Sequence, residues 1–189
     1  MPGVEAETGS MRKFFAALML SCGLLFSGFS APTQAQDDLN IEAMTSDQIA
    51  ERAESLQPAV LYVLAARLLS EGRGQEAANW MYAGQLRYRF LLAAMGEAAS
   101  DERVLFSALS EQVGRPVNEH IAGDPDEWIA AMTWALEWDE ETANDITSKT
   151  AHAAELAEVR DGLAQLIEKV DSSRAEIRRH RSEAGLENR

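Results

Sequence analysis

Few residues of this chain have the types and spacing that catalysis requires. The three histidines, His120, His152 and His180, stand far apart, and the single cysteine, Cys22, lies in an apolar run near the start. The chain contains no His-Glu-x-x-His motif, no Gly-x-Ser-x-Gly motif and no glycine loop of the kind that binds phosphate. We therefore predict no catalytic residue, no cofactor and no metal site. A carboxylate-dependent hydrolase stays open as an alternative, because its paired acids are recognised by their separation in space.

Two arginines stand in the most apolar stretch of the chain, within Gln85-Leu86-Arg87-Tyr88-Arg89-Phe90. A helix turns about 100° per residue, so Arg87 and Arg89 lie about 200° apart and cannot share a face. An unpaired charge is costly in a protein core, so the arginine that faces inward needs a carboxylate partner. Two interpretations follow. One is a structural ion pair with a second, solvated arginine; the other is a ligand-binding arginine, and either residue can be the buried one.

The segment between Arg115 and Lys149 contains no lysine or arginine and is rich in acids. A surface of this kind steers a cationic partner toward the protein. Three interpretations are open: a solvated acidic face, a binding surface for a basic protein that includes Asp139, Glu140 and Glu141, and a loose metal site. The EF-hand pattern is absent, because the segment that begins at Asp139 lacks the alternating ligands and the glycine at the sixth position. The nine acids are Glu119, Asp124, Asp126, Glu127, Glu137, Asp139, Glu140, Glu141 and Asp145.

Three of the four tryptophans follow one another closely, from Trp128 to Trp138. Trp134 and Trp138 are one helical turn apart and share a face, whereas Trp128 lies about 100° from the middle of that pair. Core packing accounts for one of these two faces. If Trp134 and Trp138 are exposed instead, the acids that follow them border an aromatic pair, which would form an interaction hot spot.

Helices are expected to position these side chains, since no stretch shows the alternation and turn pairs of β-strands. Thr45 opens a capping box, because a hydroxyl there precedes Gln48 by three residues. Pro58 starts the next helix and Gly72 ends it. Asp124-Pro125-Asp126 gives a later helix an aspartate cap and a proline in its first turn. The predicted helices run over about 45–56, 58–71, 75–95 and 100–113, from 124 onward, and over about 147–180.

The helix over about 75–95 is apolar on nearly every side, so it is expected at the centre of the fold. Gly114-Arg115-Pro116 is expected to end the helix that follows it. The last helix carries an apolar stripe that thins after Val170, so its final turns are expected to project or fray. We predict an all-α fold: a compact bundle of about five to six helices around the central apolar helix, with a long C-terminal helix. The stripe comprises Leu156, Val159, Leu163, Leu166, Ile167, Val170 and Ile177.

Leu64, Gly72, the Glu76-Ala77 pair and Trp80 carry one family resemblance. On these residues, 58–95 resembles one helix-turn-helix unit of the tetratricopeptide and Sel1-like repeats. Those families stack several units, and no second copy occurs here at a period of about 34–40 residues. The resemblance implies helical-hairpin packing and a protein-binding role; it does not imply a solenoid.

Residues 11–35 have the three parts of a cleavable secretory signal: a basic start at Arg12 and Lys13, an apolar run, and small residues before Ala35. The apolar run is shorter than the ~18–20 residues that a membrane-spanning helix needs. Residues 1–10 precede this basic start and are predicted to be an overcalled beginning of the chain. We therefore expect export without membrane insertion after cleavage.

Cleavage after Ala35 would remove Cys22, and with it disulfides and thiol chemistry. Lipidation of Cys22, as in a bacterial lipoprotein, is the alternative. An exported chain without disulfides indicates a periplasmic location. We expect residues 36–44 to be a flexible tether and residues 45–189 to form a single helical domain.

The formal net charge is −14, and removal of the leader does not change it, because Glu5, Glu7, Arg12 and Lys13 cancel one another. This charge argues against nucleic acid and against an anionic membrane as partners, since both would be repelled. We predict a periplasmic helical module that binds another protein, with a basic protein as the natural partner. An immunity-type inhibitor of a secreted toxin is one concrete version. The alternative is a structural or stress-related envelope protein that self-associates through its C-terminal helix.

Overall fold

The computed structural model describes residues 40–189. Three predicted segments lie outside this range: residues 1–10, the leader over residues 11–35, and residues 36–39 of the tether. All regular secondary structure within residues 40–189 is helical, which confirms the prediction of an all-α fold. No helix in this part of the chain has the length and apolar character needed to cross a membrane.

Eight α-helices follow one another along residues 40–189, and six of them have ten or more residues. Short 3₁₀ turns cover Ile41–Ala43, Ala53–Ser55 and Gly96–Ala99, and a π-helical turn covers Ser110–Gly114. The helices are α1 Ser46–Ala50, α2 Pro58–Ser70, α3 Gly74–Met95, α4 Ser100–Leu109, α5 Arg115–Ile121, α6 Pro125–Glu141, α7 Ala153–Ser172 and α8 Arg174–Glu183.

α3 is the central helix, as its apolar surface predicts. It packs against α2, α5, α6 and α7, and its side chains are buried on several sides. Met81 and Leu86 are 0% and 2% exposed, and burial of each such side chain contributes about 1.5–3 kcal/mol. α2 approaches α3 closely at Gly84, where a Cβ would lie 3.0 Å from the Cβ of Leu61. The α2–α3 hairpin is therefore tightly packed.

The helix ends predicted from caps are present. The Thr45 hydroxyl accepts from the Gln48 backbone N–H (3.2 Å), and the Gln48 side chain accepts from the Thr45 N–H (2.9 Å). Gly72 adopts a φ of 78°, which glycine reaches without strain, and the two N–H groups after Glu71 bond back to Leu69 and Leu68. The Asp124 side chain accepts from the Asp126 N–H (2.8 Å) at the start of α6.

Order begins earlier than Thr45, where it was predicted to start. Ile41–Ala43 forms a 3₁₀ turn, and Arg67 on α2 donates to the carbonyls of Met44 (2.8 Å) and Ile41 (3.0 Å). Ile41 and Met44 also pack against the core. These contacts come from a residue more than twenty positions later, so the local polarity of the segment did not indicate them.

Gly114-Arg115-Pro116 does not separate two helices, contrary to the prediction. The π-helical turn Ser110–Gly114 leads directly into α5, and Gly114 has helical dihedral angles (φ −60°, ψ −43°). Pro116 lies in the first turn of α5, where the missing N–H is tolerated.

The C-terminal region differs from the single helix predicted over 147–180. Residues 147–152 form turns, and the helical part divides at Ser173 into α7 and α8. Asn144 holds the preceding loop, since its side-chain oxygen accepts from the N–H groups of Ile146 (3.2 Å) and Thr147 (3.1 Å). The longest helix of the described chain is α3, with 22 residues.

The end of the chain folds back and does not project or fray. Gly185, with a φ of 72°, terminates α8, and Leu186 donates to the Arg181 carbonyl (2.9 Å). The Arg189 N–H then reaches the Gly123 carbonyl at 2.7 Å. The apolar stripe of α7 also faces inward, with Leu163 and Val170 only 8% and 3% exposed.

Candidate functional site

The C-terminal end of α6 brings together a buried acid and three basic side chains. Asp139 is 0% exposed and Arg87 is 1% exposed, and Arg87 Nε donates to Asp139 Oδ1 at 3.3 Å. Arg160 Nη1 donates to Asp139 Oδ2 at 3.1 Å, and Lys149 Nζ lies 3.7 Å from the same oxygen. We call these four residues the Asp139 cluster.

The remaining donors of Arg87 are taken by the protein. They reach the Glu54 carbonyl (3.3 Å), the Thr142 hydroxyl (2.9 Å) and the Ala143 carbonyl (2.6 Å). The guanidinium carbon also lies 4.0 Å from the ring centroid of Trp138, a cation–π geometry. Arg87 thus joins α3, α6, the 3₁₀ turn Ala53–Ser55 and the loop after α6, which is the structural role that the sequence left open.

Lys149 and Arg160 donate to backbone carbonyls in and just after the last turns of α6. Lys149 donates to the backbone carbonyls of Asp139 and Thr142, the latter at 2.8 Å, and Arg160 donates to the Leu136 carbonyl at 3.0 Å. The last carbonyls of a helix lack intrahelical partners and carry partial negative charge, so cations are favourable there. These bonds account for the position of Lys149 at the end of α6, whereas Arg87 and Arg160 donate directly to the Asp139 carboxylate.

Burial lowers the pKa of Lys149 from its ordinary value. Asp139 opposes this change, and the charges of Arg87 and Arg160 reinforce it. Burial also lowers the pKa of Arg87, which Asp139 opposes. A guanidinium stays charged in proteins because its ordinary pKa is so high. Asp139 is therefore the main counter-ion of Arg87 and Lys149, and it shares Arg160 with Glu140.

The prediction that Asp139 belongs to an exposed acidic surface is wrong. Asp139 follows Ala135 by four residues and Met132 by seven, so it lies on the same face of α6, and both of those residues are 0% exposed. Of the two neighbouring acids, Glu140 is exposed and accepts from Arg160 (2.9 Å), and Glu141 is exposed.

Arg89 lies on the exposed side of α3. This is expected, because Arg87 is buried and the two arginines are about 200° apart on the helix. Arg89 borders a cavity of only about 30 Å³ between α3 and α7, next to Gln85 and Leu163. That volume holds about two water molecules, so the cavity is too small for an organic ligand.

Trp134 and Trp138 are both half-buried and stack nearly parallel, with 6.0 Å between ring centroids. Trp80 of α3 meets their rings edge-on at 5.0 Å and 5.2 Å. Such aromatic pairs add about 0.5–1.5 kcal/mol beyond their buried area. The two indoles therefore join the core on one side and reach the surface on the other.

Trp128 belongs to a different group of side chains. Its indole N–H donates to the Tyr82 hydroxyl (2.5 Å), which donates to Asn118 Oδ1 (2.7 Å). Burial raises the pKa of Tyr82 to about 12, so its hydroxyl stays protonated near neutral pH. This chain of hydrogen bonds connects α3, α5 and α6 and leaves Trp128 apart from the stacked pair.

Arginines from the end of the chain neutralise part of the acidic block. Arg174 pairs with Asp126, and Arg189 pairs with Glu127 at 2.6 Å. Some acids near the end of α6 keep an exposed carboxylate without an ion-pair partner within residues 40–189. We call four of these the acidic rim: Glu54, Glu137, Glu141 and Asp145.

The rim forms from two distant parts of the sequence. The Asp145 N–H donates to the Glu54 carbonyl at 3.2 Å, which places these residues side by side. Glu54 was not among the predicted site residues, because only the fold brings it to the end of α6. Within residues 40–189, no group of histidine, cysteine and acidic side chains is arranged to hold a metal ion.

The described residues form an all-helical protein. Its acidic rim lies near the end of α6, where Arg87 and Asp139 form a buried ion pair. Comparisons with protein-family models, curated proteins and solved structures find no match for the chain.

Proposed function

We propose that the chain is an exported, periplasmic helical module that binds a basic protein through the acidic rim and the exposed edge of Trp134. The observation that carries the proposal is the division of charge at the end of α6. One acid, Asp139, is buried and neutralised, whereas the four acids of the acidic rim are exposed and have no ion-pair partner within residues 40–189.

Helix geometry places Trp134 among the rim acids of α6. Glu137 and Glu141 are one turn apart, and Trp134 precedes them by three and seven residues, so all three lie along one side of the helix. Interaction hot spots are often large aromatic side chains surrounded by groups that exclude water. Trp134 offers apolar area, and the acids offer attraction for lysine and arginine.

The Asp139 cluster helps to hold this surface in one conformation. Trp138 stacks on Trp134 and also holds the guanidinium of Arg87, so the indole of Trp134 rests on a fixed base. A side chain that is already ordered loses less entropy on binding. The rim charges act mainly on the association rate, since exposed charges steer encounter more than they add affinity.

The leader and the charge agree with this proposal. A periplasmic module meets cationic secreted proteins directly, and a formal net charge of −14 favours such encounters over nucleic acid or anionic lipid. An immunity-type inhibitor of a secreted toxin is one version of this function. The alternative is a structural or stress-related envelope protein that self-associates through the C-terminal helix. It is less favoured, because the apolar stripe of α7 packs against the core, with Leu163 and Val170 buried and its other members half-buried.

The test uses the exported chain as bait in a periplasmic extract. The double variant Glu137→Lys/Glu141→Lys reverses two rim charges, and Glu158→Lys/Glu168→Lys makes the same change on exposed, unpaired residues of α7. We expect the wild type and the α7 variant to capture the same basic protein, identified by mass spectrometry, and the rim variant to lose it. No captured protein, or equal capture by all three baits, would overturn the proposal.

A further inference from the structure

A surface groove of about 580 Å³ lies where the chain after α8 folds back against α5. It shares no residue with the acidic rim. Its lining includes Leu69, Pro116, Glu119, His120, Arg181 and Leu186. A second cavity of about 300 Å³ adjoins it, because His120 and Arg189 line both. Sites for small molecules have volumes of about 300–1,000 Å³, so the groove has the size of a ligand site.

One wall of the groove is held in place by hydrogen bonds. Gly185 reverses the chain, and Asn188 donates to the carbonyl of Arg178 at 3.0 Å. Arg189 is held at both ends, since its N–H donates to Gly123 and its guanidinium pairs with Glu127. The groove is therefore formed before any ligand arrives.

Arg181 carries a charge on this wall that no acid neutralises within residues 40–189. Its two Nη groups donate to the backbone carbonyls of Glu119 (2.8 Å) and Glu187 (2.7 Å), and its Nε is buried without a hydrogen-bond partner. A buried donor left without an acceptor costs free energy, and a charged donor costs more. A carboxylate in the groove would supply the counter-ion that Arg181 lacks.

His120 lies at the junction of the two cavities. Its ring packs so closely on Gly74 that a Cβ there would overlap it. Burial lowers the pKa of His120, the charges of Arg189 and Arg181 add to this effect, and Glu127 opposes it. The ring is thus neutral near pH 7, beside two cations.

The groove also holds groups of the opposite charge and an apolar surface. Glu119 and Glu187 are exposed, line the groove and have no ion-pair partner in the described part of the chain. Leu69, Pro116 and Leu186 provide the apolar lining. A ligand that matches all of these groups has a carboxylate, an ammonium group and an apolar side chain.

We propose that this groove binds a small zwitterion with apolar side chains, of the class of a free amino acid or short peptide. Its carboxylate binds Arg181 beside His120, and its ammonium group lies toward Glu119 and Glu187. Its apolar side chains pack on the lining of Leu69, Pro116 and Leu186. This site is independent of the acidic rim, so either proposal can fail without the other.

The first test compares three probes of nearly equal size by isothermal titration calorimetry on the exported chain: the dipeptide leucyl-leucine, its C-terminal amide and its N-acetyl form. We expect leucyl-leucine to bind and the amide to bind at least ~10-fold more weakly, because a charge-assisted hydrogen bond is lost. The N-acetyl form should also bind more weakly than leucyl-leucine. No binding by leucyl-leucine, or equal binding by all three probes, would overturn the proposal.

The second test uses Arg181→Gln, with Arg179→Gln as the matched control on the exposed side of α8. We expect Arg181→Gln to weaken leucyl-leucine binding by at least ~10-fold and Arg179→Gln to leave it unchanged. If Arg181→Gln disturbs the wall of the groove, a measurement on the wild type still tests the site. Bound carboxylate should raise the pKa of His120, measured by NMR, and the C-terminal amide should not. An unchanged pKa with leucyl-leucine present would contradict the site.

Discussion

At the end of α6, Arg87 is buried against Asp139 and four acceptors of the protein take its donors. At the turn after α8, Arg181 binds two backbone carbonyls, lacks an acidic partner and keeps a buried Nε without an acceptor. Both arginines leave water, yet only the first is satisfied by its surroundings. The first guanidinium holds the fold together, and the second is the one for which we propose a ligand.

Asp139→Asn should have the largest effect on stability. It keeps the shape of the side chain but leaves Arg87 buried without a counter-ion, beside Lys149 and Arg160. Removing one partner of a buried ion pair costs about 3–5 kcal/mol. We expect that loss in the free energy of unfolding, measured by urea denaturation. Glu141→Gln, an exposed acid on the same helix, is the control and should change it by less than ~0.5 kcal/mol.

Gly74→Ala should displace the ring of His120 and so damage the wall of the groove. Crowding of a packed site typically costs about 1–3 kcal/mol, and we expect a loss near the lower end because the ring can swing outward. The control is Gly162→Ala on α7, where a Cβ meets no atom within 4 Å. That change should stabilise the protein by up to ~1 kcal/mol. Equal effects of the two substitutions would show that the ring is not held against Gly74.

His120 should make stability depend on pH. Its pKa in the folded protein is lowered, whereas the unfolded value is about 6.5, so the unfolded chain binds the proton first as pH falls. The stability present above about pH 6.5 is therefore lost as pH falls through the folded pKa. We expect His120→Gln to reduce the difference between urea midpoints at neutral and mildly acidic pH. His180→Gln, an exposed histidine of α8, should keep the wild-type difference.

Glu140→Gln should have the smallest effect, although Glu140 and Asp139 pair with the same arginine. The Glu140 side chain is 75% exposed, so its ion pair with Arg160 is screened by water. Exposed pairs contribute about 0–1 kcal/mol, and we expect the free energy of unfolding to fall by no more than ~0.5 kcal/mol. A loss as large as that of Asp139→Asn would mean that burial does not set the difference between the two acids.

Local chemistry predicted most helix ends. The capping box at Thr45, the glycine at Gly72 and the aspartate cap at Asp124 depend on neighbours within a few residues, and all three are present. The apolar surface of α3 placed that helix at the centre. The sequence therefore predicted correctly the helix ends whose hydrogen-bond partners lie within one helical turn.

The site depended on partners that lie far apart in the chain. Arg87 and Asp139 are separated by 52 residues, so the inward arginine was expected to have a carboxylate partner, but which one was not evident. The spacing of Asp139 from Ala135 and Met132 was a local signal that it lies on the buried face. The prediction of an exposed acidic surface followed the net acidity of the segment instead, and for Asp139 it was wrong.

The groove had no signal in the sequence at all. Arg181 lies on α8 and His120 on α5, so only the fold brings them to one groove, and the turn at Gly185 adds Leu186 and Arg189 to its lining. The charged end of the chain was expected to be exposed or frayed. Charge content alone did not distinguish arginines that bind backbone carbonyls from solvated ones.

In the function that we propose, the exposed acids of the rim bind a basic protein, and the buried Asp139 only supports their surface. The most direct test measures the affinity of the captured partner for wild type, Glu137→Lys/Glu141→Lys and Glu158→Lys/Glu168→Lys at low and high salt. We predict that the rim variant binds at least ~10-fold more weakly at low salt and depends less on salt, while the α7 variant behaves like wild type. Equal losses in both variants, or an affinity of the wild type that does not change with salt, would contradict the account.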